Sequence, residues 1–274
     1  IDWSSMLSLI HLTNMENSLK TQYLNAGNIS ARINLHAKYS VNKQGWFSWI
    51  YEQCGLEPGI KVLETGCGDG RLWVDNIRNV EKLKNIKITV TDISEGMVND
   101  ARRNIGNGMF DYGVADCMNL PFDDNSFDCV IANHVIFYCE EPGKAFKEIK
   151  RVLKPRGKAV FSTYGSHHMQ EIAQLVNQFD KRIVLSADVL YEKFGLDNGE
   201  RLLKKYFNKV DKRLYDDYLL VDVAEPIIEY ILSCHGNQNH YLLDRYSDFK
   251  AFIMKKTRKP LKITKEAGVF VCFN

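Results

Sequence analysis

Val62-Leu63-Glu64-Thr65-Gly66-Cys67-Gly68-Asp69-Gly70 decides how this chain folds: an apolar run, an acidic residue, then three glycines at alternate positions before a helical pattern opening Arg71-Leu72-Trp73. The run reads as a buried strand, and the glycine-dense turn lets a ligand come against bare backbone where a helix begins. The spacing is G-x-G-x-G. A dinucleotide fingerprint needs G-x-G-x-x-G and a phosphate loop needs Gly-Lys-Ser/Thr, so neither is met.

Outward from this turn, short β-rich runs alternate with helical patterns, the signature of a parallel sheet covered by helices on both faces. Strands are expected at 61–65, 87–92, 112–115, 127–133 and 158–163. The helix over 142–153 opens on Pro142, repeats Phe146, Ile149 and Leu153 at helical spacing, and stops at Lys154-Pro155 and Gly157. A further strand is expected at 210–215, helices near 226–234 and 242–255, and an antiparallel closing strand in Gly268-Val269-Phe270-Val271-Cys272-Phe273. The expected fold is therefore α/β: a doubly wound, seven-stranded, mostly parallel sheet of Rossmann-like kind with its last strand antiparallel. The expected organisation is a helical N-terminal lid at 1–44, a ligand-binding core at 45–165, a helical insertion after strand five at 166–207, and completion of the sheet by 208–274.

Two carboxylates stand behind the glycine turn. Asp92 ends the second strand, 22 residues beyond Gly70, where it can accept hydrogen bonds from both hydroxyls of a ribose. Asp116, after the third strand, can accept from an exocyclic amine while the backbone N–H of Cys117 donates to a purine ring nitrogen. Together they hold an adenosine with no need of a phosphate. Taken singly, Glu64, Asp92 and Asp116 read equally well as strand-end or capping carboxylates; their placement at three successive strand tips beside the glycine turn favours a ligand site.

At these residues the chain resembles the class I S-adenosylmethionine-dependent methyltransferases, and within them the broad small-molecule group. Glu64 to Gly70 is similar to the family's first motif, and Asp92-Ile93-Ser94 with Met97 to its ribose motif. Asp116-Cys117-Met118-Asn119-Leu120-Pro121-Phe122 resembles its adenine loop, and Ile149-Lys150-Arg151-Val152-Leu153-Lys154-Pro155-Arg156-Gly157 the helix and turn before its fifth strand. The resemblance covers about 46–163. It implies S-adenosyl-L-methionine as cofactor, with Glu64 organising the methionine end, Gly66, Cys67 and Gly68 lining the cofactor, Asp92 on the ribose, Ile93 against the adenine ring, Asp116 and Cys117 on its edge, and Asn133 beside the reacting end.

Methyl transfer from a sulfonium is an in-line displacement, so orientation is the main contribution and a base helps where the acceptor must lose a proton. The fourth strand ends in Ala132-Asn133-His134-Val135, which makes His134 the first candidate base, with a structural histidine the alternative. His167 or His168, after the fifth strand, is a second candidate; adjacent residues on a helix point different ways, so one of the two is expected. Tyr39, in Tyr39-Ser40-Val41-Asn42-Lys43-Gln44-Gly45-Trp46, is a lid candidate near the sulfonium, with Tyr23 and His36 as weaker ones. Trp46 and Trp49 read equally well as packing aromatics.

Composition narrows the rest. The 274 residues are 45% hydrophobic and 26% charged with a net charge of +2, the profile of a globular protein without a field strong enough to make nucleic acid the default partner. The basic runs at 144–158 and 255–265 read as solvated helix faces, and Asn133-His134-Val135-Ile136 lacks the Asn/Asp-Pro-Pro-Tyr/Phe pattern of enzymes that methylate nucleic-acid amines. Seven scattered cysteines without a C-x-x-C pair argue against structural zinc and for a reducing, cytoplasmic setting. No apolar stretch reaches the ~20 residues that span a bilayer. The expectation is methyl transfer to an O or N nucleophile of a small metabolite, with no metal and no membrane; an RNA or protein methyltransferase, or a non-catalytic cofactor-binding regulator, is the alternative.

Overall fold

The computed structural model describes residues 29–186 and 189–274; Tyr23 lies outside them. Nine strands occur among the described residues: β1 (Lys61–Thr65), β2 (Lys87–Asp92), β3 (Phe110–Val114), β4 (Phe127–Asn133), β5 (Leu153–Tyr164), β6 (Lys209–Tyr215), β7 (Tyr218–Val221), β8 (Leu261–Thr264) and β9 (Ala267–Phe273). Two compact bodies share them.

The larger body comprises Gln44–His168, Leu190–Asp216 and Glu266–Asn274. It holds a seven-stranded sheet in the order β3-β2-β1-β4-β5-β9-β6. β1 to β5 run parallel, and β9 is antiparallel to both β5 and β6. Alternate residues bury on opposite faces. Val130 and Ala132 of β4 with Phe270 of β9 join Phe146, Ile149 and Phe161 on one side, while Cys129, Ile131, Val269 and Val271 join Trp73, Val80 and Ile88 on the other. A sheet covered on both faces explains why its strands read as continuous apolar runs. The chain steps from β1 outward to β2 and β3, then returns across β1 to β4. That reversal opens a crevice at the carboxyl ends of β1 and β4, the place where open α/β sheets take their ligands.

The smaller body comprises 29–43, Met169–Val189 and Asp217–Lys265. Helices Ile29–Tyr39, Gln170–Phe179, Ala224–Leu232 and Tyr246–Lys256 pack with the antiparallel pair β7–β8 around Leu35, Ile172, Ile228, Phe249 and Ile263. One buried ion pair belongs to this body: Lys265 Nζ lies 2.7 Å from Asp217 Oδ2, with the two side chains 8% and 0% exposed. Asp217 also accepts from the backbone N–H of Asn42 at 2.9 Å and from the Ser40 hydroxyl. Burial pushes its carboxyl up, but these donors together hold it below the usual carboxylate range.

Several boundaries differ from the expectation. The insertion after strand five divides: 169–189 falls in the helical body, whereas 190–207 falls with the sheet, because Phe194, Leu203 and Phe207 bury against Phe161 and Phe270. The stretch 208–274 completes the sheet only through β6 and β9, and its middle, 217–265, belongs to the helical body with two strands that no sequence pattern announced. β3 begins at Phe110 rather than 112, and β5 starts at Leu153, where a register shift lets Leu153 pair with Phe127 ahead of the regular ladder from Lys158.

Candidate functional site

The glycine turn after β1 is built by backbone conformation. Gly66, Gly68 and Gly70 have φ of +71°, +55° and +80°, the left-handed region that side chains disfavour. At Gly66 a Cβ would come 2.4 Å from Val135 Cγ2. At Gly68 a Cβ would meet no heavy atom within 4 Å, so that stretch of backbone faces open space. Cys67 is buried; its N–H donates to the Thr91 carbonyl at 3.0 Å and ties the turn to β2.

Asp92 organises the neighbouring tip. Its Oδ2 accepts the Gly68 N–H and its Oδ1 the Ser94 N–H, both at 2.9 Å. Each oxygen keeps a further lone pair for a hydroxyl. Beside it Ile93 is 69% exposed and Val114, at the end of β3, 54% exposed: bare apolar surface at two adjacent strand tips. Asp116 closes a tight turn, accepting the Met118 N–H on Oδ1 at 2.8 Å and the Asn119 N–H on its carbonyl at 2.9 Å. The Cys117 side chain turns inward against Cys139, with the two Sγ atoms 3.1 Å apart.

Glu64 lies buried beneath the turn, and its Oε2 accepts the Trp73 indole N–H at 2.5 Å. Burial pushes its carboxyl up to about 8, only partly offset by that hydrogen bond and reinforced by the charges of Asp92 and Asp69. Next to it, the buried Thr65 hydroxyl has no hydrogen-bond partner among the described residues. An open run of backbone, a two-pronged carboxylate, exposed apolar strand tips and an unsatisfied buried hydroxyl fit a neutral-edged nucleoside carrying a polar tail.

At the end of β4 the chain turns sharply, with His134 at φ +54°. Its N–H donates to Ser162 Oγ at 2.9 Å, and the same hydroxyl donates to Asn133 Oδ1 at 2.5 Å, so β5 fixes both residues. The imidazole stacks on Trp46 with ring centroids 5.1 Å apart and planes 27° apart, and Phe137 and Tyr164 stand at 5.9 and 6.3 Å. The His168 ring lies 5.3 Å from Tyr164, so of the two adjacent histidines it is His168 that shares this aromatic neighbourhood. His167 is mostly exposed; its N–H donates to Glu266 Oε2 at 2.8 Å and its Nδ1 lies 3.4 Å from the same oxygen. Tyr39 belongs to the other body, at the end of helix Ile29–Tyr39, where its ring is buried beside Leu35. His36 lies on the same helix.

Sequence reasoning missed two supports. Trp46 is a stacking partner of His134 as well as a packing aromatic. Arg151, in a run read as a solvated face, donates to the carbonyls of Leu120 and Phe122 and to the carboxylates of Glu148 and Asp124, while Glu148 accepts the Leu120 N–H. It thereby holds the loop that follows Asp116; the available signal was an irregular loop whose backbone groups needed partners.

Comparison with known proteins agrees with this geometry. Residues 63–161 match the family model described as a methyltransferase domain. A cycloartenol-C-24-methyltransferase of Oryza sativa subsp. japonica is 36% identical over 107 residues, 38% of this chain and 30% of that protein. A ubiquinone/menaquinone biosynthesis C-methyltransferase of Haemophilus ducreyi is 30% identical over 143 residues, 51% of this chain and 54% of that protein. The chain thus spans about half or less of these curated relatives. Among solved structures, a methyltransferase-like protein of Bacillus halodurans aligns over 83% of this chain and 97% of its own with a TM-score of 0.54 at 14% identity. A phosphoethanolamine N-methyltransferase 2 of Haemonchus contortus in complex with S-adenosyl-L-methionine aligns over 90% and 56% with a TM-score of 0.53 at 18% identity. Residues 63–161 are accordingly a methyltransferase domain of the class I S-adenosylmethionine-dependent family, whose methyl donor is S-adenosylmethionine.

Proposed function

We propose that the chain transfers the methyl group of S-adenosylmethionine to an O or N nucleophile of a small organic molecule. The observation that carries this reading is Asp92, fixed by two backbone N–H groups beside the open backbone of Gly68 and the exposed face of Ile93. In it, Asp92 accepts the ribose hydroxyls, Ile93 packs on the adenine, Asp116 and the Cys117 backbone hold the adenine edge, and Gly66, Cys67 and Gly68 line the tail with Glu64 beneath. When bound, S-adenosylmethionine supplies an activated methyl group on a sulfonium. His134 then takes the proton that the acceptor loses, with its ring plane set by Trp46 and its backbone by Ser162. Asn133 keeps an amide for the cofactor's tail, and His167, whose Nδ1 lies 3.4 Å from Glu266 Oε2, is a second candidate for carrying a proton at the rim. A small acceptor is supported by the names of relatives, which include phosphoethanolamine and quinone-pathway methyltransferases. Unpaired thiols at all seven cysteines suit a cytoplasmic setting.

Titration calorimetry with S-adenosylhomocysteine tests the reading. The parent binds, and Asp92→Ala loses about 1.5–3 kcal/mol, roughly 10- to 150-fold in Kd, for hydrogen bonds to a charged acceptor. A folded Asp92→Ala protein that binds as tightly as the parent refutes it.

A further inference from the structure

Two thiols meet behind the expected adenine edge. Cys117 follows Asp116 in the turn after β3, and Cys139 closes the 3-10 turn Ile136–Tyr138 that follows β4. Their Sγ atoms are 3.1 Å apart, and both side chains are nearly enclosed, at 7% and 5% exposure. A second contacting thiol pair, Cys54 and Cys129, is fully enclosed. Of these two contacting pairs, Cys117 and Cys139 are the one a small oxidant can reach.

We propose that Cys117 and Cys139 form a reversible disulfide on exposure to a peroxide, and that this bond weakens S-adenosylmethionine binding. The proposal rests on the cofactor reading above. One thiolate attacks a peroxide oxygen: the O–O bond breaks, a sulfenic acid forms, and the departing oxygen leaves as water once protonated. The second thiol then attacks that sulfur. The S–S bond forms, the S–OH bond breaks, and the hydroxyl leaves as a second water with the thiol proton. Two electrons pass from the sulfurs to the peroxide, which ends as two waters. Cys139 is the better first nucleophile, because the hydrogen bond from the Cys117 thiol holds its own thiol below the usual range.

The geometric consequence falls on the site. A disulfide holds its sulfurs about 2.0 Å apart, so closing the contact draws the two turns together by about 1 Å. One turn carries Asp116 and the Cys117 backbone, pinned by the Met118 and Asn119 N–H groups; the other follows directly from His134. Neither can shift without moving a group assigned to the cofactor or the acceptor, and tightly positioned sites lose much of their function over such distances.

The test treats the whole chain with hydrogen peroxide, maps peptides by mass, and titrates S-adenosylhomocysteine before oxidation, after it, and after dithiothreitol. The expected result is a linked Cys117–Cys139 peptide about 2 Da lighter than its two free halves, a Kd about tenfold weaker on the scale of one lost interaction, recovery on reduction, and no change on oxidation in Cys139→Ser. Absence of the linked peptide overturns the proposal, and so does a linked protein that binds with the parent's affinity. Failure of the reduced parent to bind S-adenosylhomocysteine instead overturns the cofactor reading, and the peptide map still reports separately on the thiols.

Discussion

Glu64 makes the pH dependence of folding a direct probe of the site. The side chain is buried, the Trp73 indole donates a hydrogen bond to it, and burial lifts its carboxyl from 4.5 to about 8. Between those values the folded protein keeps a proton that the unfolded chain has released. The contribution is therefore fully present below the unfolded value and is lost as pH rises through the folded one. Each pH unit across that window changes stability by about 1.4 kcal/mol, about 4 kcal/mol at most between pH 5 and pH 8. Glu64→Gln keeps the shape and an acceptor for Trp73 but removes the titration. Urea unfolding of parent and variant across this range checks the point: the difference in stability between Glu64→Gln and the parent grows in the variant's favour as pH rises. Parallel pH profiles for the two proteins would show that Glu64 is ionised in the fold, and the reasoning from burial would be wrong.

Three further outcomes follow from contacts elsewhere. Gly66→Ala should lose about 2–3 kcal/mol in denaturant unfolding, from left-handed backbone and the 2.4 Å approach to Val135, and adding Val135→Ala should recover the steric part but not the backbone part. Asp217→Ala removes the carboxylate that the buried Lys265 ammonium faces at 2.7 Å and should cost about 3–5 kcal/mol, whereas Asp217→Leu with Lys265→Met should be far milder; equal losses would contradict the account. Because the Asp217 carboxyl is held low, the parent keeps this contribution above the unfolded carboxylate value near 4 and loses it as pH falls through the folded one, so acid unfolding of the parent should be steeper than that of the double variant.

The core of the sheet and the backbone geometry of the glycine turn were legible because their causes are local. Glycines at 66, 68 and 70 announce left-handed backbone, and an aspartate at a strand end beside them announces a cradle. Fully covered strands show as uninterrupted apolar runs, which is how β4 and β9 were found. What stayed hidden depends on distant partners. β7 and β8 are four residues each, and their pairing of Leu219 with Ile263 spans 44 positions, a distance over which no pattern in either segment identifies the other. Helical periodicity in 190–207 predicts a buried face but not the body that buries it; Phe161 and Phe270 decide that. Arg151 looked like one more cation on a solvated helix, since its role comes from carbonyls some thirty residues earlier. The contact of His168 with Tyr164, and the stack of Trp46 on His134, likewise depend on neighbours brought in by the sheet.

A crystal structure of the protein grown with S-adenosylhomocysteine tests the central claim most directly. The account predicts electron density for the nucleoside along the backbone at Gly66–Gly68, with both ribose hydroxyls on the Asp92 carboxylate and the adenine between Ile93 and the Asp116 turn. Density placed elsewhere in a crystal that contains the compound, with Asp92 still bonded only to Gly68 and Ser94, would contradict it.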